Sequence, residues 1–468
     1  MSSSRFTITS RSPQDPKSVV CEVDATSPET VSKFATTAAH VGLSWGADSA
    51  AQLRADALVA SSIALESASE YLANLMVEEV GKPINEARAE LARAVSFARY
   101  FAQQPLADAG TVYRALSVAS ATSFSVRRPA GVAGLITPWN FPVLIPIWKI
   151  FPALAYGNGV LWKPSEEATC IALALSKLLS DHLPEGLLSV LPGGADTGRA
   201  VLEQADVLSF TGSVEVGHLI IGSAKGRHIP VQAELGGLSA TIVMPDADPA
   251  SAARMLAGGA FGYAGQRCTS TRRIITVGHS KAFIEALVAE TRALNIGDPA
   301  DESVAIGPVI NRMAKDRVHD AVRRAKAEGG RVLNQTNPIP DGEGWFTPCF
   351  LVDGVDPGHF LAQEEVFGPV CAVMSAKDFP EAVDIANSTR YGLAAAVITS
   401  DQGVVAQAIE KLDAGMIRIN APTSGADPHV PFTGVRCSAY GPPELGSGVQ
   451  DFYTKLRTIT THPPLACA

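Results

Sequence analysis

The chain has 468 residues, 46% of them apolar and 18% charged, and a net charge of −9. That length holds two or three domains with full hydrophobic cores, and the negative charge, with no Lys/Arg run, disfavours nucleic acid or an anionic membrane as partner. The seven cysteines are scattered, with no CxxC pair and no clustered histidine, so the expectation is reduced thiols, no disulfide framework and no structural metal.

Met1 to Val19 is polar and lacks the apolar stretch of a secretory signal, which sets a cytoplasmic location as the default. The first hundred residues read as helical. Ser27-Pro28-Glu29 is an N-cap followed by proline at the first helical position. Leu58, Leu65, Leu72, Leu75 and Met76 recur at helical spacing on one long segment, which Gly81 and Pro83 stop. Between Thr111 and Arg128 the texture changes: the polar, β-branched run Ser117–Val126 reads as extended strand that leaves the main core.

From Pro129 short apolar runs alternate with helical segments. The predicted strands are Val132–Ile136, Gly159–Trp162, Leu188–Leu191, Val207–Phe210 and Ala240–Val243; the predicted helices include Ile171–Leu183, Asp196–Gln204, Lys281–Leu294 and Lys315–Glu328. Such alternation implies parallel sheets with right-handed crossovers, whose ligands bind at the carboxyl ends of the strands. The most apolar stretch, Phe141–Trp162, carries Lys149 and several prolines and glycines, which suits a buried helix and strand rather than a membrane span. Asp451–Thr461 again reads as strand.

Polar residues follow the strands. Thr137-Pro138-Trp139-Asn140-Phe141-Pro142 comes after the first, Lys163-Pro164-Ser165-Glu166 after the second, Thr211-Gly212-Ser213 after Val207–Phe210, and Glu234-Leu235-Gly236-Gly237 after Val231-Gln232-Ala233. No GxGxxG is present, and Gly193-Gly194-Ala195-Asp196-Thr197-Gly198 is off that pattern. Cys268 lies in Gly265-Gln266-Arg267-Cys268-Thr269. A lone cysteine is more often a small buried hydrophobe than a nucleophile, and its thiol, with an ordinary pKa near ~8.5, needs a helper to react.

These segments, with Glu364-Glu365-Val366-Phe367-Gly368-Pro369 and Pro431-Phe432-Thr433-Gly434, strongly resemble in order the motifs of the aldehyde dehydrogenase superfamily, from about residue 20 to about residue 460. The resemblance implies an α/β fold of two doubly wound parallel-sheet domains plus a β-ribbon oligomerisation element. It places residues 1–110 and 129–236, with part of 437–450, in a dinucleotide-binding domain, 237–436 in a catalytic domain, and 111–128 and 451–468 in oligomerisation strands. It implies that Cys268 attacks an aldehyde to form a thiohemiacetal and then a thioester, that the Asn140 amide stabilises the oxyanion, and that Glu234 activates the hydrolytic water. Ile136, Thr137, Pro138, Trp139, Lys163, Ser165, Glu166, Gly212, Ser213, Leu235, Gly236, Glu365 and Phe367 would hold the cofactor. A carboxylate at Glu166 repels a 2′-phosphate, so NAD is favoured over NADP. Phe141, Trp148, Arg267, Thr269 and Phe432 would line the aldehyde tunnel, and the Arg267 guanidinium suits a semialdehyde carboxylate unless a structural ion pair takes it. Lys149 has no assigned role. The Pro442-Pro443 pair departs from the family pattern behind the tunnel. The expected partners are a small aldehyde and further copies of the chain, as a homodimer or homotetramer. A CoA-acylating enzyme, against which Glu234 argues, and an inactive binding protein of the same fold are the alternatives.

Overall fold

The computed structural model of the chain describes residues 6–108, 110–114, 116, 121–278, 281–334 and 338–462. The fold is α/β, as expected. A six-stranded sheet has the order 439–440, 231–234, 207–211, 132–136, 159–163, 188–190. A seven-stranded sheet has the order 331–332, 350–353, 370–376, 273–277, 240–243, 394–398, 416–419. Both are parallel except for one antiparallel edge strand each, Ala439–Tyr440 and Arg331–Val332. The strands at the centre of each sheet, such as Val132–Ile136 and Ala240–Val243, are buried throughout. Their continuous apolar runs are the signature of a parallel sheet covered on both faces. Outside these sheets Val112–Arg114, Thr122–Pro129 and Thr454–Thr461 form a three-stranded antiparallel ribbon.

The helix Leu144–Ala155 organises the first half. All of its residues are buried, as a helix that is apolar all round requires. It packs against Ile84–Ala102 on one side and Gly159–Lys163 on the other. It therefore starts immediately after the Asn140 loop and fixes where that loop sits. The chain crosses from the first sheet to the second between Glu234 and Ala240, through Gly236-Gly237.

Several expectations need correction. The first hundred residues are not wholly helical: Thr7–Arg11 and Val19–Asp24 pair as an antiparallel hairpin, whose Thr, Ser and Val residues favour strand. The leucine-bearing segment is two helices, Ala51–Ser67 and Ser69–Val80, broken at Ala68; Leu58, Leu65, Leu72 and Met76 are buried as the spacing required. Gly81 ends the second in the left-handed conformation at φ 62°. The C-terminal strand starts at Thr454, because Gly448–Tyr453 is a helix that buries Val449, Phe452 and Tyr453. Ser117–Ser120 of the predicted ribbon run lie outside the described residues. The expectation of reduced thiols fails at one pair: Cys21 of the hairpin is disulfide-bonded to Cys170, 149 residues away, at the start of helix Thr169–Ser180. Spacing along the chain carries no signal for a pairing that the hairpin's docking creates. Cys268, Cys349, Cys371 and Cys437 are free.

Arg54 ties the N-terminal helices to this frame. Its guanidinium donates to the carbonyls of Trp45 at 2.6 Å and Ala155 at 3.1 Å, the last residues of two helices whose final carbonyls lack intrahelical partners, and to that of Ala47 at 2.9 Å. Arg54→Leu leaves the Trp45 and Ala155 carbonyls unpaired, Ala47 keeping its bond from Ala50 N–H, and is expected to lower the unfolding free energy by about 3 kcal/mol, read as a reduced urea midpoint at unchanged slope.

Candidate active site

The loop that carries Cys268 is built on an unusual backbone. After helix Pro249–Phe261 the chain turns through three successive left-handed residues, Tyr263 (φ 52°), Ala264 (φ 52°) and Gly265 (φ 67°). For the two non-glycine residues that conformation costs about 1–2 kcal/mol each, so neighbours must hold it. The Arg272 guanidinium donates to the carbonyl of Gly265, and to that of Gly368 at 2.7 Å. The buried Gln266 amide donates to the Tyr263 and Pro308 carbonyls and accepts from Ile310 N–H at 2.8 Å.

The loop meets the strand ends of the first sheet at one bond. Asn140 Nδ2 donates to the Gln266 carbonyl at 2.9 Å. Asn140 is 4% exposed, and its second N–H remains available to the cavity that the residue lines. The Gly237 backbone approaches from the other side: a Cβ there would lie 2.7 Å from the Cys268 carbonyl oxygen, so only glycine fits.

Cys268 lies at the junction of two cavities. The larger, about 410 Å³, is lined by Pro138, Trp139, Asn140, Gly212, Ser213, Leu235, Gly236, Cys268, Glu365 and Phe367 from the sequence-derived set. Trp139 and Phe367 meet edge to face at 5.7 Å, and Phe367 adopts φ 51°. Ser213 caps helix Val214–Lys225, accepting from Val216 N–H, so a helix N-terminus faces this cavity and favours an anion. The smaller cavity, about 130 Å³, is lined by Phe141, Trp148, Arg267, Cys268, Thr269 and Phe432, together with Glu86, Glu90 and Arg93. Trp148 and Phe432 pack at 5.4 Å. Arg267 lines this cavity and is also ion-paired to Glu86.

Five sequence-derived residues line neither cavity and gather at neighbouring strand ends. Ile136 pairs with Lys163 across the strands. Thr137 accepts from Trp162 Nε1 at 2.8 Å. Lys163 Nζ donates to the Pro164 carbonyl at 2.7 Å, and Ser165 caps the short turn Glu166–Ala168. Glu166 is exposed beside Gly194, where a Cβ would come within 3.2 Å of its carboxylate.

Glu234 also lines neither cavity, being 3% exposed, but its charge acts on Cys268. Burial drives its pKa well above the ordinary carboxylate value; Glu444 adds to this and Lys149 opposes it. Its Oε2 and the Thr211 hydroxyl are buried with no hydrogen-bond partner among the described residues. Burial, then Glu365 and Glu234, push the Cys268 thiol up to about 12. Burial raises Glu365 to about 7 against the pull of Arg272 and lowers Lys163 to about 8 against the pull of Glu166. Lys149, unassigned from sequence, is buried in an ion pair with Glu444 and donates to Ser209 Oγ at 2.7 Å. Sequence reasoning missed Glu444, Arg272, Gln266, Arg93, Lys82 and Glu90; Gln266 and Arg272, close to the cysteine, were the ones within reach of a local signal.

The Aldehyde dehydrogenase family profile matches residues 1–459. The chain is 34% identical to the alpha-ketoglutaric semialdehyde dehydrogenase of Bacillus subtilis, over 96% of this chain and 94% of that protein. It is 33% identical to malonate-semialdehyde dehydrogenase 1 of Geobacillus thermodenitrificans, over 84% and 82%. The betaine aldehyde dehydrogenase of Staphylococcus aureus in complex with NAD+ has a TM-score of 0.93 to it at 28% identity, over 98% of this chain and 93% of that one.

A side chain at Gly265 would meet the Gly368 carbonyl at 2.5 Å and Arg272 Nη1 at 2.7 Å, at a φ of +67°. Gly265→Ala is therefore expected to cost roughly 2–4 kcal/mol of stability, measured by denaturant unfolding.

Proposed function

The chain belongs to the aldehyde dehydrogenase family, and on that premise we propose that Cys268 is its nucleophile, Asn140 its oxyanion donor and Glu234 its base. It is an NAD(P)-dependent oxidoreductase that converts an aldehyde to a carboxylic acid. The observation that carries the assignment is Cys268 at the wall shared by two cavities, with Asn140 bonded to the same loop.

The Cys268 sulfur attacks the aldehyde carbon from the smaller cavity as its proton leaves to bulk water, so that the Glu234 carboxylate remains free for the hydrolytic step. Charge develops on the former carbonyl oxygen, where the second Asn140 N–H and the Cys268 backbone N–H meet it; one such donor is worth about 3–4 kcal/mol in the transition state. The larger cavity, with a capped helix N-terminus at Ser213 and the Glu365 carboxylate beside Gly236, fits a dinucleotide, which when bound supplies the hydride acceptor. Loss of hydride leaves a thioester on Cys268. Glu234 then takes a proton from water as the water adds to the thioester carbon, and the acid departs as the thiol re-forms. Glu365 and Phe367 hold the nicotinamide end, and Lys163, Ser165 and Glu166 the adenosine end. The exposed Glu166 carboxylate supports NAD over NADP.

The smaller cavity supports an anionic aldehyde. Of its charged residues, Glu86 is paired with Arg267 and Glu90 with Lys82. Arg93 makes no hydrogen bond or ion pair among the described residues, so one positive charge is left over. We assign the substrate to the semialdehyde carboxylates, with Arg93 as the recognition group and the Arg267 guanidinium taken instead by Glu86; the two semialdehyde dehydrogenase relatives support this, and the betaine aldehyde dehydrogenase shares the fold with a substrate of opposite charge. The same charge disfavours a cationic aldehyde. No helix among the described residues is long and apolar enough to cross a membrane. A cytoplasmic homodimer or homotetramer is the assembly we propose; the two outer strands of the ribbon, which expose Val112, Tyr113 and Leu456, support association because unpaired edges need cover.

Glu234→Gln should give a burst of one NADH per subunit followed by slow turnover. Because burial raises the Glu234 pKa well above the ordinary carboxylate value, wild-type acid release should accelerate as pH rises beyond the ordinary carboxylate range, and the variant should lose that dependence. A first turnover as slow as the steady state would remove Glu234 from thioester hydrolysis.

Assayed with NAD and with NADP, succinic or α-ketoglutaric semialdehyde should exceed hexanal in kcat/KM. Arg93→Leu should cut the semialdehyde values about 10–100-fold, as expected for one charged hydrogen-bonding group, and leave hexanal unchanged. A preference for hexanal would refute the carboxylate assignment.

A further inference from the structure

Lys82 and Glu90 form a buried ion pair to which the proposed chemistry gives no step. They are 0% and 3% exposed, on the turn after helix Ser69–Val80 and on helix Ile84–Ala102. Their remaining bonds all go to backbone beside the oxyanion donor. Lys82 Nζ donates to the Asn140 carbonyl at 2.7 Å. Glu90 Oε1 accepts from Val143 N–H at 3.0 Å and from Leu144 N–H at 2.9 Å, and so caps helix Leu144–Ala155, which has no side-chain cap of its own.

The Lys82 ammonium also lies between the two loops that must be brought into register. It stands 4.2 Å from the Phe141 ring centre, on the Asn140 loop, and 4.4 Å from that of Tyr263, in the left-handed turn before Cys268. Tyr263 Oη in turn donates to the Val80 carbonyl at 3.1 Å, two residues before Lys82. One cation is thus bonded to the peptide of one loop and packed on an aromatic ring from each.

We propose that the Lys82–Glu90 pair positions the oxyanion donor: it holds residues 140–144 against the nucleophile loop so that the Asn140 amide and Cys268 stay in register. A buried ion pair is weak evidence for stability, since desolvation offsets its attraction. This one has its bonds concentrated on the segment where an error of ~1 Å costs about 100-fold in rate. The inference rests on Asn140 as oxyanion donor. Lys82 lines neither cavity, Glu90 borders the aldehyde cavity with its carboxylate committed to Lys82 and to the Val143 and Leu144 N–H groups, and both are positioning residues.

The test is a double-mutant cycle on the full-length protein. Lys82→Met/Glu90→Gln removes both charges together, leaves no unpaired buried ion and keeps an amide oxygen for the Val143 and Leu144 N–H groups. It should lower kcat about 10–100-fold, with KM for NAD within about twofold and cooperative unfolding retained. In an Asn140→Ala background the same change should lower kcat less than about threefold, because the group it aims is gone. An equal fold-loss in both backgrounds, an unchanged kcat, or an effect on KM for NAD alone would overturn the inference. If Asn140→Ala alone leaves kcat unchanged, the oxyanion reading fails instead. Should the neutral pair not unfold cooperatively, Lys82→Arg supplies the reading: its longer fork keeps the charge but displaces the Asn140 carbonyl, so a folded variant with wild-type kcat is likewise an overturning result.

Discussion

The bond from Asn140 to the Gln266 carbonyl joins two parts of the molecule that share no strand. Asn140 follows a central strand of the six-stranded sheet, and Gln266 lies in the loop that precedes a central strand of the seven-stranded sheet. Each sheet buries a core on one face, and a third and larger core, with Leu135 and Trp162 from one sheet and Ile274 and Val373 from the other, runs between them and takes in Tyr263, Ala264 and Val143 beside the two loops. Apolar packing sets the separation coarsely, since it has no direction. The polar contacts at the seam refine it: Arg272 and Gln266 on the Cys268 side, Lys82 and Glu90 on the Asn140 side, and Gly237 where the backbones touch.

Several ionisable groups are buried beside these loops. Glu234, Glu444 and Lys149 form one group and Lys82 with Glu90 another. In each, a cation is bonded to a carboxylate and to one further acceptor, Ser209 for Lys149 and the Asn140 carbonyl for Lys82. Desolvation would be prohibitive for any one of them alone. Two acids around Lys149 leave a surplus negative charge, and burial with Glu444 keeps Glu234 protonated far above the ordinary range. The thiol is raised by the same surroundings.

What the sequence made legible was what is local. Val132–Ile136 and Ala240–Val243 are apolar runs bounded by punctuating residues, and both are strands with those limits. Asn140, Lys163, Ser213 and Glu234 were singled out because they follow strands, and the family resemblance implied their roles; of the four, Asn140 and Ser213 line the larger cavity. Partners remote along the chain were not legible. Lys149 and Glu444 are 295 residues apart, Cys21 and Cys170 149 apart, and no periodicity links either pair. Lys82 stood in plain view between Gly81 and Pro83, but those two residues read as punctuation and drew attention from the ammonium. The hairpin at Thr7–Arg11 and the helix at Gly448–Tyr453 were misread because short polar segments owe their form to what they dock on.

The left-handed turn at Tyr263-Ala264-Gly265 has a consequence for length. A helix that runs on can gain or lose a residue by rotating its register. This turn reverses hand in three residues, and its far side is held by Arg272 and by the Gln266 amide. The interval from Phe261 to Cys268 is therefore a ruler with no slack. One inserted or deleted residue would rotate the thiol away from the wall between the cavities, whatever the residues on either side, and the spacing itself is as much a part of the active site as the cysteine.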